Sequence, residues 1–196
     1  AIRRPRPDDF QIKLAADLIK KSKNPIIISG GGIFYSDATN ELSEFAKKHN
    51  IPTAQTVMGY STMKKDDPYF LGAIGGFGGK EPNDFMKKTD LAIAIGTKLA
   101  DFTTGSWANF ENPNFKLVSI NVSRFDANKH MAQSIVGDAK VCLQDLTLAL
   151  GNWKAEDDWH KKSRIAVNAW NNYLEKESGP TTVSYTHLRA HETPIN

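Results

Sequence analysis

LAIAIGTKLADFTTGSW, residues 91–107, is the stretch from which the fold can be read. Its first half is an apolar run closed by Gly96, the pattern of a strand buried on both faces of a parallel sheet. From Asp101 onward the composition turns abruptly to hydroxyls, glycine and large aromatics. A parallel sheet opens its ligand crevice beyond the carboxyl ends of its strands. Asp101, Phe102, Thr103, Thr104 and Trp107 are therefore candidate residues of a loop facing a substrate cavity or another domain.

Similar signals repeat on either side. PIIISGGG at 25–32 reads as a buried strand running into a glycine loop, and FKLVSINV at 115–122 as another buried strand. Short strands are expected at 51–57 and 134–136. Ile12, Ala15, Ala16 and Ile19 share one helical face behind Asp8 or Asp9 as N-cap. Ser36-Asp37 can open a second helix through His49, with Leu42, Phe45 and Ala46 on its apolar face. Glu81-Pro82 begins a third, running to Lys88, and Asp138 caps a fourth through Leu150. The segment 68–79, dense in glycine, is expected to be loop. Four or five strands alternating with helices predict an α/β domain over 11–151, a Rossmann-like parallel sheet with helices on both faces. Residues 1–10 read as an interdomain linker. Residues 152–182 read as an extra C-terminal helix, about 157–176, and a linker toward a further domain.

Composition narrows the class. The chain has 196 residues, 40% hydrophobic and 24% charged, with a net charge of +3, as in globular proteins that work in water. No apolar run nears the roughly 20 residues that span a bilayer. The lysines are dispersed near helix ends rather than gathered into a stripe, which argues against a nucleic-acid partner. A lone cysteine, Cys142, excludes an intramolecular disulfide framework and fits a reducing, cytoplasmic setting. The opening, basic and broken by proline without a methionine start, implies sequence upstream. VSYTHLRAHET at 183–193 has no structural periodicity and looks like translated sequencing adaptor, so 183–196 is expected to be non-native. The i, i+4 pair His187 and His191 is discarded with it.

Motifs that could carry chemistry are few. Gly30, Gly31 and Gly32 follow the first strand where backbone N–H groups could approach a phosphate, and Gly75 and Gly76 form a second such loop. Neither fits G-x-G-x-x-G, and no Walker lysine follows. These five glycines stand as cofactor-binding candidates beside a purely structural reading as tight strand-to-helix turns. No nucleophile–base order and no metal-ligand spacing is legible.

Between Pro25 and about Leu150 the letters resemble the central domain of thiamine-diphosphate-dependent enzymes. Within these they look closest to the trihydroxycyclohexane-dione hydrolases of myo-inositol breakdown. The resemblance rests on IPTAQTVMG (51–59), DFTTGSW (101–107), VSINV (118–122), FDANKH (125–130) and VGDAK (136–140). It implies a parent enzyme using thiamine diphosphate and Mg²⁺ to open a cyclic dione ring, giving a deoxyglucuronic acid. The cofactor acts as electron sink in such chemistry. It also implies pyrimidine- and diphosphate-binding domains elsewhere in the same chain, and a homo-oligomer when intact. The activating glutamate and the metal ligands of such enzymes match no position here, and Gly137-Asp138-Ala139 departs from Gly-Asp-Gly at its third letter. No catalytic residue carries over, so the chain alone is expected to be inactive. Two alternatives stay open: the central domain of an acetolactate-synthase-like enzyme, or a nucleotide (FAD, ADP or NAD) module without catalysis.

Overall fold

The computed structural model describes residues 3–177. Its centre is a six-stranded sheet, parallel throughout. The strands are β1 (Pro25–Ser29), β2 (Thr53–Gln55), β3 (Phe70–Ala73), β4 (Leu91–Ile95), β5 (Lys116–Asn121) and β6 (Gln133–Val136), in spatial order β3-β2-β1-β4-β5-β6. Chain order reverses between β1 and β4, so the topological switch point falls between the two strands with the strongest apolar runs. Every residue of both is buried.

Alternate residues feed two cores, as the pleat requires. Ile27, Ile93, Ile95, Val118 and Ile120 face α1 (Asp9–Lys21), α3 (Thr39–His49) and α7 (Ala139–Leu150). Ile26, Ile28, Ala92, Ala94 and Leu117 face the other way, toward Phe85 and Met86 of α4 (Lys80–Met86) and Trp159 of α8 (Asp157–Glu177). The sheet with helices on both faces and the extra C-terminal helix agree with the sequence reading. Asp8 caps α1 by accepting the Phe10 and Gln11 N–H groups, and Asp138 caps α7 through the N–H groups of Lys140 and Val141.

Three differences have local causes. The segment 68–79 is not all loop: Phe70–Ala73 pairs with β2 as the edge strand β3, across a register shift at Thr53/Ala54. A short helix, α2 (Gly32–Tyr35), directly follows the first glycine loop. Ser36 is then the C-cap of α2, and Asp37 takes φ +49, so α3 begins after Ala38 with no side-chain cap. The loop expected from Asp101 onward starts with one helical turn, α5 (Asp101–Thr104), and another, α6 (Arg124–Ala127), follows β5. The tail at 183–196 and its histidine pair lie outside the described residues.

Residues 3–7 lie along the start of α7. Arg4 pairs with Asp138 at 2.9 Å and donates to the Ser36 carbonyl, while the Pro5 carbonyl accepts the Asp138 N–H at 2.9 Å. No helix among the described residues is long and apolar enough to cross a membrane.

Candidate functional site

The carboxyl ends of the strands surround a cavity of about 870 Å³. Its floor comes from residues just past the strands: Gly31 and Gly32 after β1, Thr56 after β2, Gly96 and Thr97 after β4, Asn121 at the end of β5, and Gly137 after β6. Its walls are apolar, with Tyr35, Met58, Phe77, Leu99, Phe102 and Val122 among them. This is the crevice that the topology prescribes, at the switch point. Its volume lies in the range of small-molecule sites.

The structure divides the sequence candidates. Gly31, Gly32, Phe102 and Thr103 line the cavity. Gly30 lies beneath it, where a Cβ would come 2.4 Å from the Gly96 carbonyl oxygen. Gly32 and Gly96 cross back to back, and a Cβ on either would sit 2.6 Å from the Cα of the other. The crossing fixes the N–H groups as well: Gly30 donates to Ile95 at 2.9 Å, Gly32 to Gly96 at 3.0 Å and Ile33 to Gly30 at 3.1 Å. Gly75 and Gly76 stand behind Phe102. Gly76 donates to its carbonyl at 2.9 Å, and Asn83 holds both polar groups of Gly75, at 2.9 and 3.1 Å.

Asp101 is exposed and outside the lining, and Thr104 is buried with its hydroxyl 3.4 Å from the Ala100 carbonyl. Trp107 is elsewhere. It packs over the sheet face with Phe110, at 5.0 Å between ring centroids, and with His130, at 4.3 Å. Gly105, Ser106 and Trp107 all have positive φ, uncommon at the last two, which are not glycine, and this bends the loop down onto the β4–β5 face. The aromatic cluster of Trp107, Phe110 and Phe115 covers the sheet where a crossover helix would ordinarily lie.

Several lining residues stand outside the sequence's site candidates, among them Tyr35, Met58, Phe77, Lys98 and Val122. The signal they share is position, within a few residues of a strand's carboxyl end; Met58 and Val122 lie besides in the segments 51–59 and 118–122 that carry the resemblance. Asp126 also lines the cavity. The Lys129 ammonium, bonded at 2.7 Å, holds its carboxyl below the usual range, with Ser123 and Lys98 acting in the same direction. Asp138 is committed to the α7 cap and to Arg4.

Titratable groups elsewhere are structural. His49 is fully buried, its Nδ1 2.8 Å from the Trp153 carbonyl, and burial lowers its pKa below the ordinary 6.5. Cys142 is buried among apolar side chains, which pushes its thiol up to about 12. His160 contacts the Pro68 carbonyl oxygen at 3.1 Å, and its ring packs tilted against that of Tyr69, with 4.5 Å between centroids. Among the described residues no three His, Cys, Asp or Glu side chains gather in a metal-binding group.

Comparison with known proteins agrees with this architecture. The profile for "Thiamine pyrophosphate enzyme, central domain" matches residues 12–146. Proteins named 3D-(3,5/4)-trihydroxycyclohexane-1,2-dione hydrolase are similar over 175 residues, 89% of this chain. That of Clostridium perfringens (strain 13 / Type A) is 39% identical, and that of Clostridium botulinum (strain Alaska E43 / Type E3) likewise 39%. That of Bacillus cereus (strain AH820) is 36% identical. In each case the match covers 27% of the relative's length, so the chain spans about a quarter of these proteins. By fold and by sequence alike, the chain belongs to the thiamine pyrophosphate enzymes, as their central domain.

Proposed function

We propose that this chain is part of a thiamine-diphosphate- and Mg²⁺-dependent hydrolase that opens the ring of a trihydroxycyclohexane-1,2-dione in inositol breakdown. The observation that carries the reading is the similarity, at 36–39% identity over 89% of the chain, to proteins of that name. The central domain then serves as the packed core between catalytic domains elsewhere in the parent, a cytoplasmic homo-oligomer. The activating glutamate and the metal-ligand motif of such enzymes match no position of this sequence, and the reading that the isolated chain is inactive rests on that.

Substrate conversion tests this directly. The parent protein, supplied with thiamine diphosphate and Mg²⁺, should release the ring-opened acid and lose activity on chelation. The 196-residue chain should show no turnover under the same conditions. Ring opening by the chain alone, or an inert parent, overturns the reading.

A nucleotide module without catalysis is the competing reading, favoured by the crevice at the switch point. Two features weigh against it. The N–H groups of Gly30, Gly32 and Ile33 already have backbone acceptors, and β2 ends in Gln55, followed by Thr56, rather than in an acidic residue for a ribose. Calorimetry with ADP, FAD and NAD should register no binding tighter than about 100 μM.

A further inference from the structure

We infer that the cavity and its rim form a docking surface for a segment of the parent polypeptide outside these 196 residues, one bearing apolar side chains and at least one carboxylate. The inference depends on the proposed function only in taking the parent to be longer than this chain. The relatives, of which the chain spans 27%, supply that length.

The distribution of exposed apolar side chains is uneven. Among the described residues, twelve large apolar side chains are more than half exposed. Seven of the twelve stand within seven residues past the end of a strand; five of these line one cavity, and Tyr60 and Phe125 lie within three residues of a lining residue in the chain. Solvent-exposed apolar groups scattered singly need no explanation, but a contiguous patch marks an interaction surface.

The extent of the patch distinguishes a polypeptide from a small molecule. A ligand inside the cavity would cover Tyr35, Met58, Phe77, Phe102 and Val122, which line it. It would leave Tyr60 and Phe125 in water, because neither belongs to the lining, although they are 74% and 76% exposed. A chain segment laid across the opening covers the rim as well as the walls.

Charge supplies the second half of the description. Arg3 and Lys98 line the cavity, are exposed, and make no ion pair within 4.0 Å with any of the described residues. The acidic lining groups are already matched, Asp126 to Lys129 at 2.7 Å and Asp138 to Arg4 at 2.9 Å. The face therefore presents unmatched positive charge among apolar walls. A partner segment complements it with carboxylates beside apolar anchors.

Hydroxyl-radical footprinting read by mass spectrometry tests the surface on the parent protein and on the 196-residue chain. Met58 on the rim and Met131, 99% exposed and off it, are matched thioether probes. Met58 should oxidise about tenfold more slowly in the parent than in the chain, since docked interfaces exclude water. Within the parent the ratio of Met58 to Met131 gives the same reading without the chain. Lys98→Glu in the parent should bring Met58 oxidation back toward the unprotected rate.

Equal Met58 oxidation in both proteins overturns the proposal. Protection that needs added ADP, FAD or NAD assigns the face to a small ligand, and protection lost on dilution assigns it to a second copy; either overturns it too. The two readings fail separately. A protected Met58 in a parent without ring-opening activity sinks the function and keeps the docking surface. An active parent with freely oxidised Met58 does the reverse.

Discussion

The two glycine loops look alike as letters and work differently in the fold. At 30–32 the glycines meet backbone: Gly32 and Gly96 cross with no room for a Cβ on either. At 75–79 the contacts include mobile rings, since a Cβ on Gly76 would meet the Phe102 ring and one on Gly79 the Trp170 indole. The first loop sets how closely β1 and β4 can finish at the switch point. The second shapes a turn that presents Phe77 and supports Phe102 on the cavity wall. A glycine run is thus no evidence of a phosphate cradle until the use of its N–H groups is known.

Substitutions can break this contrast. Gly96→Ala should be the most costly, because φ of +61 and a 2.6 Å approach to Gly32 combine backbone strain with overpacking. A loss of about 3 kcal/mol or more is expected from the urea midpoint of the folded chain. A neutral result would mean that the crossing is loose.

Acid gives a second measure, independent of both loops, because neither contact contains a titratable group. The folded-state pKa of His49 lies below the unfolded 6.5, so between those values the unfolded chain binds more protons. Stability is therefore intact above about pH 6.5 and falls as pH drops toward the folded value, by at most about 1.4 kcal/mol per pH unit. His49→Asn keeps a donor for the Trp153 carbonyl and cannot titrate. Its urea midpoint should be flat between about pH 6.5 and 5, above the range where carboxylates begin to titrate. An unchanged slope would place the acid sensitivity at another titratable group.

The smallest effect belongs to Gly76→Ala. The Phe102 ring is half exposed and can turn aside, so the cost should be under about 1 kcal/mol. A loss equal to that of Gly96→Ala would erase the distinction between the loops.

How far each region could be read from letters follows from where its order originates. β1, β4, β5, α1 and α7 carry their own signal, an apolar run or an apolar stripe ahead of a capping aspartate, and they appear as expected. β3 has no such pattern. Phe70–Ala73 is extended because β2 pairs with it and because Arg164 of α8 donates to the carbonyls of Pro68 and Phe70, at 3.2 and 3.4 Å. The candidate site divides along the same line. That residues past the strand ends would meet was legible from the parallel pattern. That Trp107 would leave that end and fold over the sheet was not, because its place depends on three left-handed residues and on His130, distant in sequence.

Trp159 bears on the order in which this domain can be completed during synthesis. Its indole N–H donates to the Pro25 carbonyl at 2.8 Å and its ring stacks on Phe85 at 4.1 Å, so the first strand is covered by a residue made 134 positions later. Until that residue leaves the ribosome, the face formed by Ile26, Ile28 and Phe85 has no lid. A nascent chain stalled before α8 would present a sticky half-sheet, the kind of surface that chaperones hold and that aggregates when they do not.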